Sequence, residues 1–407
     1  MLGSNLSIRP SVVIKNRLLK SAMTEQLGDR LHNPTPELNE LYRYWAKGGI
    51  GLSISGNIMI RRDALGEPKN VVLDEASDLQ AFKQWTQAAT LNNTHCWAQL
   101  NHPGKQIPRF LNSRPVAPSA IPLGEGLENA FAKPRSLTTE DVHDIVKNFA
   151  TSARLASQVG FNGVQIHGAH GYLVSQFLSK RHNHREDEWG GSLEKRMAFP
   201  LAILKAMRAE VPESFPIGIK LNSFDFMRDG TDESEAMETL IALDEAGIDL
   251  IEISGGTYEN PVLMTGRKTK ASTVAREGYF LSFAEQARAK VKCPLAVTGG
   301  FRSRPFMEQA LNSGATDMIG LARPLALDPD YPNKLLQDPD YQARVPRPDT
   351  GLRWLNKALA LDVTYYERQL HRIAKNGVAN PNLHPLMSGV ETLLSTGWNA
   401  FKLRRGR

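Results

Sequence analysis

Cysteine is nearly absent, with two in 407 residues, and that scarcity excludes whole classes of protein. Cys96 and Cys293 lie in apolar, strand-like sequence. They read as buried, reduced thiols rather than a disulfide framework, and they cannot supply the thiolate set of an iron–sulfur cluster. No apolar run reaches the roughly eighteen residues of a membrane-spanning helix, and residues 1–10 lack the basic-then-apolar order of a signal peptide, so the expectation is a cytoplasmic enzyme with no membrane span. Neither G-x-G-x-x-G nor G-x-x-x-x-G-K-[ST] occurs, which argues against a separate dinucleotide domain and against a P-loop. The charge imbalance is small: 49 Lys and Arg against 43 Asp and Glu leave +6, enough to suit an anionic cofactor or substrate without calling for nucleic acid. The densest basic cluster, Lys402, Arg404, Arg405 and Arg407, reads as a solvated tail.

What the chain does have is alternation. Short apolar strand candidates fall at 18–23, 51–55, 96–100, 164–167, 217–221, 250–254, 295–298 and 318–321. Helix candidates separate them, at 37–47, 79–92, 139–159, 193–210, 233–246, 283–291 and 304–313. Gly160, Gly247 and Gly314 follow three of these helices, where a left-handed cap is wanted. Eight βα units predict an α/β fold, a closed (β/α)8 TIM barrel over residues 1–332. A doubly wound open sheet is the competitor, but it would carry a glycine fingerprint after its first strand, where Thr24-Glu25-Gln26 stands instead. The Pro- and Gly-rich stretch 101–136 reads as a lid over one barrel face. Beyond residue 328 the pattern changes. Residues 354–375 predict a helix with Tyr365, Tyr366, Leu370 and Ile373 available for packing, and Pro381 and Pro385 interrupt it. Residues 333–407 are therefore expected to form a helical C-terminal extension packed on the barrel, with a contact between copies in a homo-oligomer as the alternative.

Chemistry concentrates in Val164-Gln165-Ile166-His167-Gly168-Ala169-His170-Gly171-Tyr172-Leu173, where an apolar run ends in two imidazoles and a phenol. Glycines there let the backbone turn sharply, gathering His167, His170 and Tyr172 at a strand's carboxyl end. Such a group can donate hydrogen bonds to an oxygen and deliver a proton. Two plainer readings stay open: a metal pair extended by His182 and His184, and histidines satisfied by backbone carbonyls.

In a parallel barrel the functional groups come from strand carboxyl ends. The first strand then offers Ala22, Met23 and Thr24, and the second Ser55-Gly56-Asn57. Gln99 and His102 come from the third, the histidine block from the fourth and Lys220 from the fifth. The seventh offers Thr298-Gly299-Gly300, and the eighth Gly320-Leu321-Ala322-Arg323. Backbone amides at Gly299 and Gly300, a helix beginning near Ser303 and the guanidinium of Arg323 together make a phosphate site. Gln99 and Lys220 suit a flat heterocycle with an N–H, a carbonyl and an electron-rich edge.

These residues resemble the Old Yellow Enzyme family of FMN-dependent ene-reductases, also called NADH:flavin oxidoreductases. The likeness runs from about Ile8 to Pro332. It is carried by Lys15-Asn16-Arg17, Ser21-Ala22-Met23-Thr24, Ala98-Gln99-Leu100, the 161–178 block, Asp187-Glu188-Trp189-Gly190-Gly191-Ser192-Leu193-Glu194-Lys195-Arg196, and Gly320-Leu321-Ala322-Arg323-Pro324. The resemblance implies that Ala22, Met23, Thr24, Gly56, Gln99, Lys220, Gly299, Gly300, Ala322 and Arg323 bind FMN. It further implies that His167 and His170 hold the carbonyl oxygen of an enone-type acceptor, and that Tyr172 protonates the α-carbon. NADH or NADPH would reduce the flavin in the same cleft, giving ping-pong kinetics. Two departures stand out: Lys220 replaces an arginine and Ala22 a proline. His102-Pro103-Gly104-Lys105 resembles the family's His-Ala-Gly-Arg segment and reads as a structural lead into the lid. A non-redox barrel lyase or isomerase acting on a phosphorylated substrate is the alternative.

Overall fold

Strand positions of period two divide this chain into an inward and an outward set, and the two sets bury against different partners. The computed structural model describes residues 1–124, 126–225, 230–256, 277–342 and 344–396. The basic cluster at 402–407 and most of residues 258–279 lie outside them. Eight parallel strands form the barrel: Leu18–Lys20, Leu52–Met59, His95–Asn101, Gly163–Gly168, Ile217–Asn222, Leu250–Ser254, Leu295–Thr298 and Met318–Leu321. The eighth pairs in parallel with the first, Ile319 to Leu18 and Leu321 to Lys20, and the first with the second, Leu19 to Leu52, so the sheet closes.

Outward residues such as Leu18, Ile58, Ala98, Ile166 and Ile219 join the large core shared with the helices. Inward residues Leu19, Leu52, Ile54, Trp97, Leu250, Ala296 and Met318 make a separate cluster that Leu6 and Ile14 complete. Those two come from an N-terminal hairpin, Leu6–Arg9 paired antiparallel with Val12–Ile14, which plugs the barrel floor. Sequence alternation does not register this hairpin, because strands of four and three residues are too short to set a period.

The surrounding helices start and stop where side chains can satisfy their free backbone groups. Thr138 and Asp141 form a capping box at Thr139–Gln158, and Ser192 and Asp232 cap Leu193–Glu210 and Glu233–Glu245. Gly160, Gly247 and Gly314 have φ of 98°, 85° and 75°, the left-handed values expected of them.

The C-terminal region departs from its expected form. Instead of one helix over 354–375 there are two, Arg353–Ala358 and Leu361–Asn376, separated at Ala360, which takes a left-handed φ of 46°. Nor does Pro385 interrupt structure: it opens a further helix, Pro385–Thr396, since a proline in the first turn lacks only an N–H that has no intrahelical partner there. Leu361–Asn376 buries Tyr365, Tyr366, Leu370 and Ile373.

Candidate active site

One layer above the apolar plug, the inward positions turn polar. Ser21, Gln99, Gln165, Lys220, Glu252 and Thr298 are all buried, none more than 9% exposed, and they bond to one another. Gln99 Nε2 donates to Gln165 Oε1 at 2.7 Å, and Gln165 Nε2 to Glu252 Oε2 at 2.8 Å. The other carboxylate oxygen accepts from Ser21 Oγ at 2.5 Å and Thr298 Oγ1 at 2.6 Å, and lies 2.9 Å from Lys220 Nζ. Lys220 also donates to Ser21 Oγ at 2.7 Å. Burial pushes the Glu252 carboxyl up, but the ammonium of Lys220 and the three donors outweigh it and hold the group down at about 2.

Lys220, expected to face the electron-rich edge of a flat heterocycle, has a buried counterion in the structure. Sequence reading of strand ends missed Glu252, Gln165 and Ser21 as members of the layer. The available signal was periodic: Gln165 and Glu252 interrupt otherwise apolar strands at inward-facing positions.

Lys220 pairs in register with His167 on the fourth strand. Beyond that strand His170, at φ 61°, and Gly171, at 77°, reverse the chain, and Tyr172 precedes the short helix Leu173–Leu178. The result is the expected cluster. The His167 ring lies 5.2 Å from that of His170 and 4.7 Å from that of Tyr172, centroid to centroid, both edge-on. Burial, then the neighbouring His170 and Lys220, lower His167 well below the ordinary imidazole value; burial followed by Lys220 takes His170 to about 3. Both rings are therefore neutral. His167 Nδ1 accepts from the Ala169 amide at 3.3 Å, which leaves its proton on Nε2 as the free donor. His170 Nε2 lies 3.1 Å from Ser254 Oγ, and the Asn222 side-chain oxygen accepts from the His170 amide at 3.3 Å. Of the histidines in the metal reading, His182 is engaged elsewhere, its Nδ1 2.8 Å from Lys105 Nζ.

The remaining predicted residues ring the same barrel mouth. Ala22, Met23 and Thr24 follow the first strand, with Thr24 Oγ1 donating to Glu67. Gly56 N donates to Glu25 Oε1 at 3.1 Å, which ties the second strand end to the first loop. Gly299 and Gly300 turn at φ of 136° and 88° directly after Thr298, so the Thr298–Glu252–Lys220 chain connects that turn to the strand bearing His167. The amides of Arg302 and Ser303, heading the helix Arg304–Asn312, donate to Glu277 Oε2 at 2.8 and 3.0 Å. Ala322 and Arg323 follow the eighth strand. His102 Nδ1 accepts from Gly104 N, and Lys105 Nζ donates to the carbonyls of Ile121 and Pro122.

The residues present fit a flavin. The amide oxygen of Gln99 is fully buried and has no hydrogen-bond partner, while its nitrogen is committed to Gln165. An acceptor held that way, in the same hydrogen-bonded layer as the buried Lys220, matches an N–H and carbonyl edge of a flat heterocycle.

Comparison with known proteins agrees. The profile of the NADH:flavin oxidoreductase / NADH oxidase family matches residues 6–340. The NADH-dependent flavin oxidoreductase iliE of Hypocrea jecorina (strain QM6a) is 36% identical over 382 residues, which take in 88% of this chain and 94% of that protein. A solved complex of 2-naphthoyl-CoA reductase with 2-naphthoyl-CoA superposes with a TM-score of 0.76 at 27% identity, covering 83% of this chain and 52% of that one. The old yellow enzyme homologue from Zymomonas mobilis superposes at 0.71 with 25% identity, over 84% and 95% of the two chains.

Proposed function

Because the chain belongs to the NADH:flavin oxidoreductase family of Old Yellow Enzyme relatives, we propose that it reduces the activated C=C bond of α,β-unsaturated carbonyl compounds, with FMN bound at the barrel mouth and NADH or NADPH as reductant. The non-redox lyase reading loses its support with that membership. When bound, FMN supplies the hydride it has taken from the nicotinamide.

Everything else falls to the chain's own side chains. Ala22, Met23, Thr24, Gly56, Gln99 and Lys220 hold the flat ring system, and Gly299, Gly300, Ala322 and Arg323 hold the phosphate. His167, through Nε2–H, and His170 hold the acceptor's carbonyl oxygen. As neutral donors they favour an oxygen that gains negative charge during reduction without requiring an ion pair in the ground state. Tyr172 releases its phenolic proton to the α-carbon. The observation that carries this reading is the edge-on cluster of His167, His170 and Tyr172 beside the buried Lys220–Glu252 layer.

Two half-reactions test it. The purified protein is expected to be yellow, to bleach when NADH or NADPH is added without oxygen, and to recover its colour with cyclohexenone as its C=C bond is reduced. A colourless protein that takes up no FMN overturns the cofactor assignment, and bleaching without reoxidation by any enone overturns the acceptor class.

A further inference from the structure

The family profile ends at residue 340, yet the helix Leu361–Asn376 beyond it reaches one of the positions assigned above to the cofactor, Arg323, and the two residues that follow another, Thr24. Its His371 Nε2 lies 2.7 Å from the carbonyl oxygen of Glu25, one residue after Thr24. A carbonyl only accepts, so His371 carries its proton on Nε2, and burial followed by the neighbouring Arg368 keeps the ring neutral by lowering it to about 4. One turn earlier, Glu367 Oε2 accepts from Gln26 Nε2 at 2.9 Å, with Glu367 itself paired to Arg368 at 2.9 Å. Glu367 and Arg368 are buried, at 2% and 4% exposure. On the other side of the site, Arg323 stands against the phenol of Tyr366, which donates to the carbonyl of Pro346 at 2.6 Å.

The loop held this way needs holding. Gln26 sits at φ 51°, a left-handed conformation that a non-glycine residue keeps only where its surroundings impose it. The barrel side does not impose it fully. A cavity of ≈ 10 Å³ lined by Thr24, Gln26, Gly56, Asn57 and Trp85 lies beneath the loop, and Gln26 Oε1, Asn57 Oδ1 and Trp85 Nε1 have no protein partner. Glu25 then passes the constraint on. While its carbonyl is fixed by His371, its carboxylate accepts from the Gly56 amide at 3.1 Å and from Tyr42 at 2.6 Å.

We propose that Leu361–Asn376 is part of the cofactor site, with His371, Glu367 and Tyr366 as positioning residues that fix the Thr24–Gln26 loop and Arg323 and thereby set how tightly the protein keeps its flavin. This rests on FMN binding at the barrel mouth. Residues outside the family domain then control a property of the family chemistry without touching the reacting atoms.

The test measures flavin release from the full-length holoenzyme, as the growth of free-FMN fluorescence after dilution, together with the FMN dissociation constant by titration. His371→Leu and Gln26→Leu each remove one clamp bond and are expected to raise release rate and dissociation constant about five- to tenfold. His371→Gln, which restores an N–H donor, is expected to stay within about twofold of wild type. Arg372→Ala is the control for mere loosening of the extension, because Arg372 pairs with Glu391 of the last helix at 2.5 Å. Its flavin release is expected to match wild type. The proposal is overturned if both leucine variants hold FMN like wild type, or if Arg372→Ala releases it as fast as they do. Should wild type itself bind no FMN, the function proposed above fails instead.

Discussion

At the scale of single residues, much of the site could be read from the chain, and what escaped did so for a definable reason. His167, His170 and Tyr172 announce themselves because polar side chains crowd a glycine-rich turn after an apolar strand, and the structure sets the rings of His170 and Tyr172 5.2 and 4.7 Å from that of His167. Glu252 and Gln165 escaped because each is a single polar residue inside an apolar strand, where only knowledge of which face points inward gives it meaning. Lys220 shows the consequence, since its charge was legible and its counterion was not. The proton-donor role proposed for Tyr172 is one that separates cleanly from binding. Tyr172→Phe keeps the ring beside His167 and removes only the proton, so enone reduction is expected to slow by about 10²–10⁴-fold while reduction of the flavin by NADH is unchanged. Stopped-flow traces of the two half-reactions check this, and equal slowing of both would remove Tyr172 from the proton-donor role.

At the scale of elements, the eight barrel strands and their helices were legible because the signals repeat: a short apolar run, then an amphipathic segment, with a glycine after three of the helices at Gly160, Gly247 and Gly314. Where signals were short or mixed, the reading failed. The N-terminal hairpin is too brief to show a period, and the break at Ala360 has no glycine or proline to mark it. Packing inside the barrel was equally hidden, because it depends on which residues face one another across strands. Trp97 fills the interior against Gly163 and Gly218, and a β-carbon on Gly163 would come within 2.7 Å of the indole. Trp97 is fully buried and has nowhere to retreat. Gly163→Ala is therefore expected to destabilise the protein by about 1–3 kcal/mol through overpacking alone. Thermal and urea denaturation measure it, and an unshifted midpoint would mean that the indole is not the rigid filler of this layer.

At the scale of the whole molecule, buried histidines dominate the response to acid. His102, His167, His170 and His371 come from three parts of the chain, and burial is the largest cause of the lowering in each. His102 and His170 fall to about 3 and His371 to about 4. Unfolding returns all of them to ordinary imidazoles, so between about pH 6.5 and 3 the unfolded chain binds more protons than the folded one. Stability must then fall as the pH falls through that window, each histidine contributing up to about 1.4 kcal/mol per pH unit. Glu252 acts in the same direction but later. Its folded value is depressed to about 2, so the stability it contributes is present above the ordinary carboxyl range and lost as the pH drops from there toward 2. The expected result is a thermal midpoint nearly flat from pH 8 to 7 that declines progressively below about 6.5, before most surface carboxylates titrate. Replacing His371 by glutamine removes one of these four imidazoles, keeps an N–H donor for Glu25, and is expected to shallow that decline. A midpoint that holds level down to pH 5 would show that these imidazoles accept protons in the native state, and with that the neutral donor pair at the barrel mouth would be lost.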